Sequence, residues 1–159
     1  PYSQIDFSEM GKVETEKYFD KYLDDMYVML NECDFDILAH LTCPVRYING
    51  KYGLNIDAKN YRAKIEKILK EVIKRKIALE INTSCVYKNS VYCEFMPEKW
   101  ILEMYRDMGG YLITLGSDAH ISQNSANSFD AAYEIIKEIG FENIYYYKNR
   151  RAIQCAVKY

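Results

Sequence analysis

Asp118-Ala119-His120 is the most distinctive chemical spacing in the chain. Side chains two residues apart on an extended segment point the same way. A carboxylate beside an imidazole makes a suitable joint ligand pair for Zn2+, Mn2+ or Fe2+. A catalytic metal usually takes at least three protein ligands, so the pair alone is not a site. The other of the chain's two histidines is His40, in the apolar run Phe35-Asp36-Ile37-Leu38-Ala39-His40-Leu41. Taken singly, His40 reads as a core histidine satisfied by hydrogen bonds, and Asp118 as a loop residue capping a turn. Their shared placement weakens those readings. Each histidine falls at the C-terminal end of an expected strand, the edge that carries active sites in parallel α/β folds.

Further residues join them by type. Glu80 interrupts the apolar segment Ile77-Ala78-Leu79-Glu80-Ile81-Asn82, and a buried carboxylate needs a charge or a metal beside it. A structural ion pair and a metal role both remain open for it. Asn82 either hydrogen-bonds a ligand or closes a turn. Arg46, six residues after His40, has the planar fork that suits bidentate phosphate recognition, though a solvated loop arginine is the plainer reading. Lys88, Arg150 and Arg151 are weaker candidates of the same kind, the last two reading as a surface pair.

The elements that must position these residues alternate along the chain. Residues 12–33 have helical periodicity, with Tyr18, Tyr22, Met26, Met29, Leu30 and Cys33 on one face. Residues 1–10 read as irregular. A first strand over Phe35–Leu41 leads into a polar loop from Thr42 to Ile56. Asp57 caps a helix running to Lys74. After the second strand at Ile77–Asn82 comes a loop to Met96, and Pro97 opens a helix that Gly109-Gly110 stops. Tyr111–Leu115 is a third strand running straight into Gly116-Ser117-Asp118-Ala119-His120. A helix then ends at Gly140, Asn143–Tyr147 is a fourth strand, and Arg150–Val157 a final short helix. Such alternation predicts an α/β fold with parallel strands joined by helices, as part of a barrel or a doubly wound sheet.

The 159 residues suit a single domain, 1–159. With 49% hydrophobic and 28% charged residues the composition is that of an ordinary folded protein. A formal net charge of −2 gives no electrostatic reason to expect nucleic acid. No apolar run reaches membrane-spanning length, and no signal peptide or membrane partner is expected. Five cysteines without a CxxC pair predict reduced thiols and a cytoplasmic protein. The start at Pro1 fits a fragment or a processed product. The 16 tyrosines read as core and boundary residues.

Three segments together resemble a known family. Phe35–Leu41, then Ala78-Leu79-Glu80-Ile81-Asn82-Thr83-Ser84, then Ile113-Thr114-Leu115-Gly116-Ser117-Asp118-Ala119-His120 occur in the order and at the spacing of the C-terminal half of histidinol phosphatases of the PHP (polymerase and histidinol phosphatase) family. The resemblance spans residues 33–150 and implies the C-terminal portion of a distorted (β/α)7 PHP-type barrel. Family members hold up to three divalent metals (Mn, Zn, Fe or Mg) at the barrel mouth. These activate a water that attacks the phosphate of L-histidinol phosphate. By the resemblance, His40, Asp118 and His120 are metal ligands and Arg46 holds the substrate phosphate. Glu80 and Asn82 are candidates for a place beside metal or substrate, and Lys88 is the candidate in the stretch Cys85-Val86-Tyr87-Lys88, where the family often carries a second arginine.

One departure qualifies what the resemblance implies. The family begins with an HxH motif and further Glu and His ligands, none of which precedes His40 here. The expectation is therefore a fragment with a small phosphorylated substrate, weak metal affinity and little phosphatase activity of its own. Its open barrel edge invites self-association. The alternatives are another PHP-family phosphoesterase, acting on nucleotides or linked to a polymerase, and a non-catalytic α/β domain.

Overall fold

The computed structural model describes residues 4–84 and 95–157. Helix α1 (Lys12–Glu32) buries Phe19, Leu23, Met26 and Leu30, a stripe that keeps one face on the core. The stripe is offset by one residue from the expected tyrosine face. Tyr18 and Tyr22 pack at its border, the Tyr22 hydroxyl donating to His40 O at 2.7 Å, while Met29 and Cys33 are exposed. Phe7, in the irregular N-terminal stretch, is fully buried against Tyr18 and Tyr52, with ring centroids 5.3 and 5.6 Å away.

Strand β1 is only Ile37–Leu38, much shorter than the expected Phe35–Leu41. The extended line ends at His40, whose φ of 65° turns the chain out of the sheet. The expected loop at Thr42–Ile56 is largely helix: α2 spans Cys43–Tyr52, with Pro44 in its first turn and Gly53 closing it at φ 64°. Asn49 fastens the segment after it, donating to Ile56 O at 2.8 Å and accepting from Ile56 N at 2.7 Å.

Asp57 caps as expected, accepting from Lys59 N at 2.9 Å. A 3-10 turn (Ala58–Tyr61) precedes α3 (Arg62–Arg75), which buries Ile65, Ile68, Leu69 and Val72 and packs on α1. Strand β2 is Ala78–Asn82. Helix α4 (Lys99–Asp107) starts two residues after Pro97, with Glu98 at its N-cap, so Pro97 precedes the helix rather than opening it. It is followed by strand β3 (Ile113–Gly116), helix α5 (Phe129–Ile139) and Gly140 in the left-handed region.

Strands β1, β2 and β3 form a parallel sheet in that order, with Leu38 opposite Leu79 and Leu79 opposite Ile113. Their C-terminal ends therefore share one edge, where His40, Asn82-Thr83-Ser84 and Gly116-Ser117-Asp118 emerge. Leu79, Ile81 and Ile113 are buried within a single apolar core that also takes in the helices.

Of the last two elements, the expected strand is present and the expected final helix is not. Asn143–Lys148 (β4) pairs antiparallel with Arg151–Ala156 (β5), which is a strand and not a final helix. Asn149 and Arg150 turn between them with φ of 50° and 61°, the left-handed pair that a two-residue hairpin requires. Arg150 reaches from this turn to Asp34 and Asp36 just before β1. Tyr145 meets Tyr111 edge-on at 6.0 Å, next to the start of β3. The hairpin thus sits at the N-terminal ends of the parallel strands, opposite the edge that carries His40 and Asp118.

Candidate active site

Glu80 lies at the centre of the polar cluster on the C-terminal edge. The alternation of β2 puts Leu79 and Ile81 on one face and Glu80 and Asn82 on the other. Glu80 Oε2 accepts from the His40 backbone N–H at 3.2 Å and from Asn82 Nδ2 at 3.4 Å. Its other oxygen lies against Gly116, where a Cβ would overlap it, so the glycine makes the space the carboxylate occupies. Burial is the largest influence on the Glu80 carboxyl and pushes its pKa above the ordinary glutamate value. The Asp118 charge pushes the same way, while His40 and Asn82 oppose it.

His40 is half-buried and doubly fastened through its main chain, since its carbonyl also accepts the Tyr22 hydroxyl at 2.7 Å. Asp118, like His40, has a left-handed backbone, with φ 50°. Non-glycine residues rarely adopt it, and such positions concentrate at functional sites.

Arg46, on the first turns of α2, reaches the same edge. Its Nη2 is 4.0 Å from Asp118 Oδ2 and 3.1 Å from the Tyr47 hydroxyl, its guanidinium stacks 4.8 Å from the Tyr47 ring centre, and Nη1 donates to Ser84 Oγ. Asn82 is fully buried and closes a turn: its Oδ1 accepts from Ser84 N at 3.0 Å and Ser84 Oγ at 2.6 Å. Thr83 ties the two loops together, donating through N to Gly116 O at 2.8 Å and through Oγ1 to Asn127 O at 2.7 Å.

Of the residues singled out from the sequence, His40, Arg46, Glu80, Asn82 and Asp118 are linked in this cluster, directly or through Ser84. His120 is exposed and stands apart from these hydrogen bonds. Lys88 lies outside the described residues. Arg150 pairs with Asp34 and Asp36 at the opposite end. Sequence reading missed Tyr22, Tyr47, Ser84 and Gly116. Only Gly116, next to the Asp118-Ala119-His120 motif, carried a local signal.

Among the described residues, no group of three or more His, Cys, Asp or Glu side chains is placed to hold a metal ion. A cavity of about 800 Å3 opens elsewhere, between the Asn49–Lys59 segment and the start of α4, lined by Asp57, Glu98 and Trp100 among others. It contains none of the clustered residues. Clefts often mark sites, but the residues singled out from the sequence converge at the sheet edge and not in this cavity.

No family model matches the chain. It is 37% identical over 121 residues to a probable histidinol-phosphatase of Thermotoga maritima, covering 76% of this chain and 48% of that protein. A probable histidinol-phosphatase of Clostridium acetobutylicum is 29% identical over 131 residues, covering 82% and 50%. The fold is similar to the crystal structure of histidinol phosphate phosphatase from Lactococcus lactis, solved with zinc, L-histidinol and phosphate. That TM-score is 0.71 at 22% identity, over 93% of this chain and 54% of the other. The chain spans about half the length of the curated relatives it matches. No helix among the described residues is long and apolar enough to cross a membrane. In sequence the chain is similar to about half the length of a histidinol-phosphatase, and in fold to about half of a histidinol phosphate phosphatase.

Proposed function

We propose that this chain is the C-terminal part of a PHP-family histidinol phosphatase barrel, a cytoplasmic hydrolase of L-histidinol phosphate. The observation that supports it best is the meeting of His40, Glu80, Arg46 and Asp118 at one sheet edge, in a chain that matches histidinol-phosphatases over half their length. Arg46 receives the phosphate of the substrate. A guanidinium already stacked on Tyr47 presents fixed donors to phosphate oxygens and offsets their charge. Glu80 holds the main-chain turn from which the His40 ring projects.

His40, Asp118 and His120 are this chain's share of the ligands for divalent metal. Among the described residues these three are not joined by further His, Cys, Asp or Glu side chains placed to hold a metal ion. The remaining ligands belong to the part of the relatives' length that this chain does not span. The open edge of β1, with one sheet neighbour among the described residues, supports self-association between copies of the chain.

The deciding experiment measures histidinol phosphate hydrolysis and bound metal on the purified chain with zinc or manganese supplied. Turnover far below that of a complete histidinol-phosphatase, with weakly retained metal, is expected. Turnover comparable with the complete enzyme would refute the incomplete-site reading. Turnover of other phosphomonoesters in preference to histidinol phosphate would overturn the substrate.

A further inference from the structure

We infer that Ser84, held by Asn82, is the positioning residue for the Arg46 guanidinium. The inference rests on the reading of Arg46 as the phosphate-binding residue and extends it to two fully buried side chains behind it.

Both Asn82 and Ser84 have no exposed surface. Asn82 is fixed from two sides: it pairs with Gly116 of β3, and its backbone N donates to Met96 O at 2.7 Å. Its Oδ1 takes both the Ser84 N–H and the Ser84 hydroxyl, the latter at 2.6 Å. A serine hydroxyl has one hydrogen, and an amide oxygen can only accept. The Ser84 hydrogen is therefore committed to Asn82, and Ser84 Oγ faces Arg46 as an acceptor. A guanidinium has donors only, so the polarity at Ser84 matches Arg46 Nη1 and no other arrangement of that hydroxyl would serve both neighbours. The Tyr47 ring covers one side of the guanidinium, and Asp118 stands 4.0 Å off. Arginine has many rotamers, and a donor fork fixed before the ligand arrives loses less freedom on binding.

The test reads the guanidinium directly, by nitrogen-15 NMR of the whole chain. The Arg46 signals are identified by their loss in Arg46→Lys. In the wild type, slow rotation about the Arg46 Nε–Cζ bond is expected to give resolved Nη signals. Ser84→Ala should average them and weaken the affinity for inorganic phosphate by on the order of tenfold. In the Arg46→Lys background the same change should have a much smaller effect on phosphate affinity. Ser84→Thr, which keeps the hydroxyl, should restore the resolved signals. If Ser84→Ala does not fold, Ser84→Cys, close in volume and a poorer acceptor, reads the same quantity. Arg46 signals unchanged by loss of the hydroxyl would overturn the inference. Inorganic phosphate that leaves the wild-type Arg46 signals unmoved would instead overturn the phosphate role of Arg46, and the rotation measurement would still decide the role of Ser84.

Discussion

His40 and Asp118 both sit in left-handed backbone, and each ends a parallel strand on the side where Glu80 lies. Such a conformation is costly for a side chain bearing Cβ, least so for Asp, Asn and His. Stability alone would favour glycine at both positions. Asp118→Gly should therefore be more stable than Asp118→Ala by about 1 kcal/mol, read from urea midpoints, while both lose the ion pair with Arg46. Equal midpoints would mean that the turn relaxes freely and stores no strain. Tyr22→Phe removes the hydroxyl that holds the His40 carbonyl and should cost about 1 kcal/mol. Gly116→Ala must push Glu80 away from the His40 N–H, at a cost of about 1–3 kcal/mol. These positions differ in how far sequence reveals them. His40, Glu80 and Asp118 were legible because each is a polar residue within or just after an apolar run. Ser84 and Tyr47 were not. Their roles exist only once α2 is laid over the end of β2, which brings Arg46 to a residue 38 positions away.

At the scale of elements, α1, α3, β2, β3, α4 and α5 followed their apolar periodicity to within a few residues. Helix α2 did not, because its buried Val45 and Ile48 make too short a stripe among Tyr, Asn and Gly. Only Pro44 and Gly53 marked its ends. The segment Arg151–Ala156 was misread for a related reason. Its exposed positions follow no two-residue alternation, so nothing local separates strand from helix. What fixes it is the hairpin turn and the anchoring of that turn. Arg150 holds the Asp34 carboxyl below the usual aspartate range, chiefly by hydrogen bonding and then by its charge. A carboxyl held low in the folded state adds stability above the ordinary aspartate value, and that contribution is lost as pH falls through the lowered one. Arg150→Ala should therefore lower the thermal midpoint at neutral pH. The difference from wild type should shrink in acid, and also in molar salt, since the groups are exposed. A difference unchanged by acid and salt would assign the effect to the turn backbone instead.

For the whole molecule, the fold class and the match to one family were readable from three short segments, because parallel strands place their functional residues at one end. Concentration-dependent species heavier than the 18.7 kDa chain are expected in sedimentation, with the exposed Val28, Met29 and Ile37 as candidates for the contact. A single 18.7 kDa species at all concentrations would show that the sheet edge is blunted well enough to stand alone. The Arg150 clasp has a further consequence, for the order in which the molecule assembles. It joins residues 114 and 116 positions apart, almost three-quarters of the 159-residue chain. Closing so long a loop before the core exists is entropically unfavourable. During synthesis β1 therefore emerges well before its clasp, and the hairpin turn reaches Asp34 and Asp36 only after the sheet between them has formed.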